Sequence, residues 1–306
     1  MDFGFDAITT PRGNDVIVGA TFFPSNSLSA AKGDGARGFP ITENAPQPLP
    51  GGGATDGFLL EIFVPLLRRA AILGSADFGD RADSGIAAQE IMTIFIARGG
   101  PEVGIGLSLG DDGKVTTQLG PTRVLFNGQP GPMIATSLNQ VSAVVPSSMP
   151  SKGPPGEVIV EVEVGGQRSN PVRFAESEAN PAIFALNSQG FGQGAILSGN
   201  LRVNGPENPS NSFIVVFGTG GGATDVPCPD GELAPAVEPF PRLTLPQRAL
   251  VDGVEAELPY AGSAPDLVCG VNQWNVIPTN NPSGVVSIQV CSGDNCSQEG
   301  ITAAFE

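Results

Sequence analysis

Four blocks of this sequence occur twice in the same order, and this internal repeat restricts the fold more than any other feature of the chain. The paired blocks are 91–100 with 213–222, 124–134 with 249–259, 139–146 with 272–278, and 156–174 with 284–305. Such a repeat predicts two copies of one structural unit that follow each other along the chain.

The repeated blocks have the chemistry of tight turns and strand ends. Asn127-Gly128 and Asp252-Gly253 occupy matching positions, and both dipeptides are typical of two-residue hairpin loops in which each residue has a positive φ. Pro146 and Pro278 also match. Because proline has no N–H to donate to a neighbouring strand, each one predicts the end of a strand.

The composition also favours strands. Of the 306 residues, 42 are glycine, 29 are proline and 40% are apolar, and the valines and isoleucines form short runs between turn residues. In VIVEVEV (158–164), the valines alternate with Glu161 and Glu163, which predicts a strand with one buried and one solvent-facing side. We therefore predict an all-β chain in which 65–178 and 179–306 form two immunoglobulin-like β-sandwiches.

The charge and the absence of histidine restrict the function. The net charge is −16, with 15 basic and 31 acidic residues, and such a surface repels both nucleic acids and anionic membranes. Without histidine there is no Ser-His-Asp or Cys-His arrangement. The three lysines, Lys32, Lys114 and Lys152, lie in turn-like sequence, and no carboxylate pair of a glycosidase can be selected. No apolar run reaches the roughly 18 residues of a spanning helix. The prediction is a protein that is not an enzyme and has no membrane span.

Four cysteines, Cys228, Cys269, Cys291 and Cys296, allow three pairings. The segment VVSIQVCSGDNCSQEGITAAF predicts a hairpin with the turn SGDN, which places Cys291 opposite Cys296 and leaves Cys228 for Cys269. The alternative is a four-thiolate zinc site, but the C-x4-C spacing has no matching second pair. Disulfides predict an oxidising setting, extracellular or periplasmic.

Two groups of side chains are candidates for ligand binding. Trp274 and Tyr260 could stack on a ligand such as a sugar, although Trp274 matches Val141 in the repeat, which favours a core position. Acidic clusters could bind calcium, but they lack the spacing of a calcium loop, and turn formation is the favoured interpretation. Their aspartates are Asp77, Asp80, Asp83, Asp111, Asp112, Asp225 and Asp230.

A third candidate is the glycine-rich segment GTGGGATD (218–225). A phosphate-binding loop would need a helix start and usually a lysine after the glycines, and the sequence has neither at this point. The segment predicts a turn or a strand bend.

Several motifs carry a resemblance to a known family. GPTRVLFNGQPGPMIATSLNQVSAVVP, SNPVRFAESEANPAIFAL, GQGAILSGNLRVNGPENPS and LPYAGSAPDLVCGVNQWNV resemble the Solibacter-type C-terminal domain, found at the ends of large secreted and surface proteins of Acidobacteria. The resemblance runs from about Ile72 to the C-terminus. It implies a secreted Ig-like or IPT/TIG-like module with an adhesive or structural role, and it supplies no catalytic residues. The four cysteines depart from the family pattern.

The first 64 residues have a resemblance of their own. GNDVIVGATFF (13–23), GFPIT (38–42) and GGGATDGFLLEI (51–62) resemble one bacterial β-propeller repeat, so 1–64 is predicted to be a blade-like segment. A lone blade exposes two edges and two apolar faces. The segment could belong to a larger protein, fold back on the first sandwich, or pair with a neighbouring copy. The last is favoured, with the first twenty residues as the donated strand.

These observations predict an extracellular or cell-surface structural protein, a homo-oligomer or polymer such as a filament, built by strand pairing between copies. The alternative is an adhesion module that binds carbohydrate or a surface protein. No cofactor is predicted unless calcium binds.

Overall fold

The chain divides into two structural units, Met1–Val64 and Pro65–Glu306. The structure, a computed structural model, describes residues 2–9, 14–22, 55–63, 65–148 and 156–306. Lys32, Lys152 and the motif GFPIT lie outside the described residues.

The first unit contains a three-stranded antiparallel sheet in the order β1-β2-β3. Its strands are β1 (Asp2–Thr9), β2 (Asn14–Phe22) and β3 (Thr55–Phe63). The register of β1 on β2 shifts between Gly4 and Asp6, whereas β3 pairs with β2 without interruption from Thr55 to Phe63. Three strands do not establish a propeller blade, so that assignment stays a prediction.

The first sandwich of the second unit consists of eleven strands and one turn of 3-10 helix, Arg69–Ala71. The strands are β4 (Ile72–Gly74), β5 (Ile86–Ala87), β6 (Ile91–Phe95), β7 (Ile105–Gly106), β8 (Thr122–Phe126), β9 (Gln129–Pro130), β10 (Met133–Thr136), β11 (Gln140–Val144), β12 (Glu157–Val164), β13 (Gln167–Arg168) and β14 (Val172–Ser177). One sheet has the order β4-β6-β11-β10-β7, and the other has the order β5-β14-β12-β8-β9 with β13 paired to β12.

The second sandwich repeats this arrangement. Its strands are β15 (Ala182–Ile183), β16 (Gly192–Gln193), β17 (Ile196–Ser198), β18 (Ile214–Thr219), β19 (Gln247–Val251), β20 (Val254–Glu255), β21 (Glu257–Ser263), β22 (Val271–Ile277), β23 (Gly284–Ser292), β24 (Asn295–Cys296) and β25 (Ile301–Phe305). One sheet has the order β15-β18-β22-β21, with β17 also on β18, and the other has the order β16-β25-β23-β19-β20 with β24 on β23.

The two sandwiches match strand for strand across the repeated blocks. In each, one short strand pairs in parallel with the last strand: β5 with β14, and β16 with β25. The predicted hairpin loops have the backbone their residues require, with φ of 50° and 77° at Asn127-Gly128 and 52° and 75° at Asp252-Gly253. The all-β, tandem-sandwich prediction is confirmed.

Each sandwich has its own apolar core, formed by both of its sheets. Ile94 and Phe126 are buried in the first core, and Trp274 and Ile288 in the second. Burying each such side chain contributes roughly 1.5–3 kcal/mol. Along β12, Val158, Val160 and Val162 are buried and Val164 is half-buried. One glutamate of the predicted wet side, Glu163, is also buried at 7% exposure, because two arginines cover it.

Candidate functional site

The candidate calcium ligands do not come together. Within 65–148 and 156–306, no group of three or more Cys, Asp or Glu side chains could hold a metal ion. Asp80, Asp112 and Asp225 instead accept backbone N–H groups one or two residues further along the chain, from Ala82, Lys114 and Val226 respectively. This is the turn chemistry that was the favoured interpretation.

The other four aspartates are also spread over the second unit. Asp77 binds Arg81, with 2.9 Å between Oδ1 and Nη2, and Asp230 accepts the backbone N–H of Ser147 at 2.7 Å. Asp83 and Asp111 are exposed.

The two candidate stacking residues are buried, so the stacking prediction is wrong for the chain as folded. Trp274 is 0% exposed, and its indole N–H donates to Oε1 of Gln247 at 3.1 Å. Tyr260 is 7% exposed, and its hydroxyl donates to the carbonyl of Ser263 at 2.6 Å. The edge of Phe240 packs on its ring. Burial raises the pKa of Tyr260. Neither ring has a free face for a ligand.

All four cysteines form disulfides, Cys228–Cys269 and Cys291–Cys296, which is the pairing that the hairpin motif favours. Cys291 and Cys296 are directly opposite each other on β23 and β24. Cys228–Cys269 ties the long loop that follows β18 to the turn before β22, and both cysteines are buried. The chain has no free thiol.

A buried ion cluster lies in the first sandwich beside the start of the second. The guanidinium of Arg81 donates to Glu90 at 2.6 Å and to Asp77 at 2.9 Å, and Glu90 is fully buried. Burial raises the pKa of Glu90, while Arg81 opposes that shift. The amide of Asn180 donates to the carbonyl of Gly85 at 2.9 Å. The cluster therefore anchors the segment that connects the two sandwiches.

The two sandwiches meet in a small apolar cluster, which we call the junction. The first sandwich contributes Ile91, Val115 and Val144, and the second contributes Val268. Ile134, Phe184 and Val271 pack against these buried residues. The junction is built as a dry contact with apolar side chains from both partners.

Hydrogen bonds surround this apolar cluster. The backbone N–H of Ile91 donates to Oγ1 of Thr219 at 3.0 Å, and the amide of Gln89 donates to the carbonyl of Cys228 at 2.6 Å. Lys114 and Glu232 form an exposed ion pair at 2.9 Å. Satisfied polar groups around an apolar centre are typical of a specific interface.

The glycine-rich segment 218–225 also serves the junction. Gly220 has a φ of 75°, and a Cβ there would overlap the carbonyl oxygen of Asn180 in the connecting segment. Its glycines therefore allow two backbones to approach closely, and this explains the motif without a phosphate.

A cleft of about 420 Å³ lies beside the junction. Its lining includes Gln89, Ser147, Thr224, Cys228 and Asp230. The amide nitrogen of Gln89 and the carboxylate of Asp230 are already bonded to protein groups. The cleft therefore offers few unsatisfied polar groups for a ligand.

The edges of the N-terminal sheet are a different kind of site. Because the strand order is β1-β2-β3, β1 and β3 are its two edge strands, with eight and nine residues. The residues predicted to be a donated arm, 2–9, instead form β1 and pair with β2 of their own chain. In that sheet the backbone groups available to another strand are those on the outer sides of β1 and β3.

Within the described residues, no helix has the length and apolar character needed to span a bilayer. No protein-family model matches the sequence, and no curated protein is detectably similar to it. The Solibacter-type resemblance therefore stays a prediction.

Comparison with solved structures finds weak likenesses to three extracellular or repeat-containing proteins. The full extracellular region of plexin A4 matches with 9% identity and a TM-score of 0.24, over 80% of this chain and 18% of that one. The I9-I11 tandem of titin matches with 7% identity and a TM-score of 0.20, over 100% and 99%. Domains 4 and 5 of the S-layer protein SbsC match with 11% identity and a TM-score of 0.17, over 71% and 83%. At these TM-scores the likenesses carry no argument about function.

Proposed function

We propose that the protein is a non-enzymatic, extracellular structural protein whose copies assemble by pairing the edge strands of their N-terminal sheets. The observation that carries this proposal is the sheet β1-β2-β3, which ends in a long strand on each side. Edge strands present unpaired N–H and C=O groups, and proteins that stay monomeric blunt them with lysine, proline or a bulge.

The two edges differ in this respect. The bulge between Gly4 and Asp6 interrupts β1. By contrast, β3 (Thr55–Phe63) contains neither lysine nor proline, and its register on β2 is continuous. Edge pairing between copies is therefore expected to use β3, either with β3 or with β1 of a neighbouring copy.

The disulfides support an extracellular setting. Both pairs form in the second sandwich, and structural disulfides persist in oxidising compartments. The high negative charge keeps single copies soluble until a specific contact forms. The alternative function, a carbohydrate or surface-protein binding module, has less support because Trp274 and Tyr260 are buried.

Two neighbouring proline variants test the proposal. In an antiparallel edge strand, successive N–H groups alternate between the paired and the open side. Of Leu59→Pro and Leu60→Pro, one variant therefore removes an outward N–H and leaves the pairing with β2 intact. We expect the wild-type protein to form particles or filaments well above 31.2 kDa by light scattering and negative-stain imaging.

The variant that keeps the wild-type circular dichroism spectrum should elute with a lower mass than the wild type. The same substitution in the bulged edge strand, Ile8→Pro, is the matched control. Wild-type protein that stays monomeric at every concentration, or assembly unchanged in both β3 variants, would show that strand pairing is not the mechanism.

A further inference from the structure

The internal repeat provides counterparts of the junction at both ends of the tandem. Met92 pairs with Ala143 in the first sandwich, and Ile214 pairs with Val276 in the second. These pairs coincide in the repeated blocks. One residue further along, Ile91 and Val144 of the junction therefore correspond to Phe213 and Ile277 at the far end of the second sandwich.

The opposite side of the junction has a counterpart as well. Val271 of the second sandwich directly precedes the repeated Asn-Gln, and the residue in that position of the first sandwich is Leu138. Thus the position that receives Ile91 and Val144 inside the chain is also apolar on the first sandwich.

Burial distinguishes the junction from these counterparts. Ile91 and Val144 are 5% and 2% exposed, because the second sandwich covers them. Ile277 and Leu138 are each 38% exposed, and Phe213 is half-buried. Apolar side chains thus lie open to solvent at the positions that are covered in the junction, which leaves room for a further copy of the same contact.

The amide at the edge of the junction is also repeated. Gln89, two residues before Ile91, donates across the junction to the carbonyl of Cys228. Two residues before Phe213 is Asn211, an exposed side chain with the same functional group. The end of the second sandwich therefore keeps an amide donor beside the apolar pair.

We propose that copies of this chain stack head to tail, with Phe213 and Ile277 of one copy against Leu138 of the next, in a contact that repeats the junction. The chain itself supplies the partner, because the surface that fits the Ile91 side has its counterpart on every other copy. A contact between two different surfaces does not close on itself, so it propagates into a filament. The contact adds to the self-assembly in the proposed function but does not use the strand edges.

A pair of charge variants tests the contact in the full-length protein. Ile277→Lys and Leu138→Glu each place an unpaired charge in the proposed interface, and we expect each variant alone to associate about tenfold more weakly or worse by light scattering. An equimolar mixture should recover assembly, since the introduced ammonium group of one copy then faces the introduced carboxylate of the next and the remaining contacts are wild type. Val237→Lys, at an exposed loop position of 73%, is the matched control.

The outcomes separate this contact from strand pairing. If both charge variants assemble like the wild type while the β3 proline variant does not, head-to-tail stacking is wrong and strand pairing stands. If the charge variants lose assembly and the mixture restores it while the β3 variants assemble normally, stacking stands and strand pairing is wrong. If charge variants and mixture are equally impaired, or if the wild type is monomeric throughout, the stacking proposal is overturned.

Discussion

The two sandwiches have the same topology but use different chemistry at the same cross-strand position. On the first, Glu163 of β12 lies opposite Arg168 of β13, and their side chains form an ion pair at 3.1 Å. On the second, the matching residues are Cys291 and Cys296, which form a disulfide. The hairpin is retained in both copies, so the fold does not depend on which cross-link joins the strands.

The residues around this position have changed less than the cross-link itself. Ser169 and Ser297, which follow the two cross-linked pairs, make the same hydrogen bonds: each hydroxyl accepts the backbone N–H of Val162 or Val290. The comparison indicates that backbone-directed contacts hold the topology, while side-chain cross-links differ between the copies.

The cross-links differ elsewhere too. The first sandwich contains the buried cluster of Arg81, Asp77 and Glu90, whereas the residue that matches Glu90 in the second is Ser212. The second sandwich instead has Cys228–Cys269. An ion cluster depends on every charge being paired, whereas a disulfide acts mainly on the unfolded chain. Substitutions should therefore affect the two sandwiches in different ways.

Breaking the buried cluster should have the largest effect. Arg81→Met leaves Glu90 charged and unpaired in the interior, so we expect a loss of about 3–5 kcal/mol in the free energy of unfolding, measured by denaturant titration at pH 7. The control is Arg173→Met, which removes an ion pair with Glu157 whose arginine side chain is 55% exposed, and it should lose less than about 1 kcal/mol. Equal losses in the two variants would show that the cluster is not electrostatically buried.

Removing the longer disulfide should have the next largest effect. The double substitution Cys228→Ala and Cys269→Ala opens a loop with a sequence separation of 41, and loop entropy predicts a loss of about 4 kcal/mol. Thermal unfolding of this variant should match that of the fully reduced protein more closely than that of the oxidised wild type. A variant as stable as the wild type would mean that the unfolded chain stays compact without the bond.

Local signals in the sequence were enough to predict the fold. Asn127-Gly128 and Asp252-Gly253 specify hairpins by backbone conformation, and Cys291 and Cys296 pair across a turn that can be read from five residues. These features depend on near neighbours in the chain, and the repeat shows each hairpin twice.

The junction could not be predicted because its residues are far apart in sequence and its two sides belong to different copies of the repeat. Thr219 bonds to Ile91 over a separation of 128 residues. One signal was present: the run IMTIFI (91–96) is almost entirely apolar on both sides of β6, which is typical of a strand covered on both faces. The aspartate clusters misled in the opposite direction, since Asp80 and Asp112 are close in composition to calcium ligands but serve turns.

The shorter disulfide should matter less than the longer one. With a separation of only 5, loop entropy predicts a loss of about 2 kcal/mol for the double substitution Cys291→Ala and Cys296→Ala, measured by denaturant titration. Transferring the cross-link sharpens the comparison: Glu163→Cys with Arg168→Cys should form a disulfide at the matching position and stabilise the oxidised first sandwich by a similar amount. Failure of the transferred pair to oxidise would mean that the two hairpins are not equivalent.

Removing the ion pair at that position should have the smallest effect. Arg123 and then Arg168 donate to Glu163, and these bonds hold the pKa of its carboxyl below the ordinary value. Glu163→Gln should therefore lose about 1 kcal/mol or less at pH 7, because both arginines are more than a third exposed. A group with a lowered pKa in the folded state stabilises the protein above its ordinary pKa, and that contribution is lost as the pH falls through the lowered value. The difference between wild type and Glu163→Gln should thus be constant near neutral pH and vanish in acid, whereas the effect of removing Cys291–Cys296 should not depend on pH over the same range. A difference that persists unchanged below the ordinary pKa of glutamate, about 4.3, would assign the role of Glu163 to packing and not to its charge.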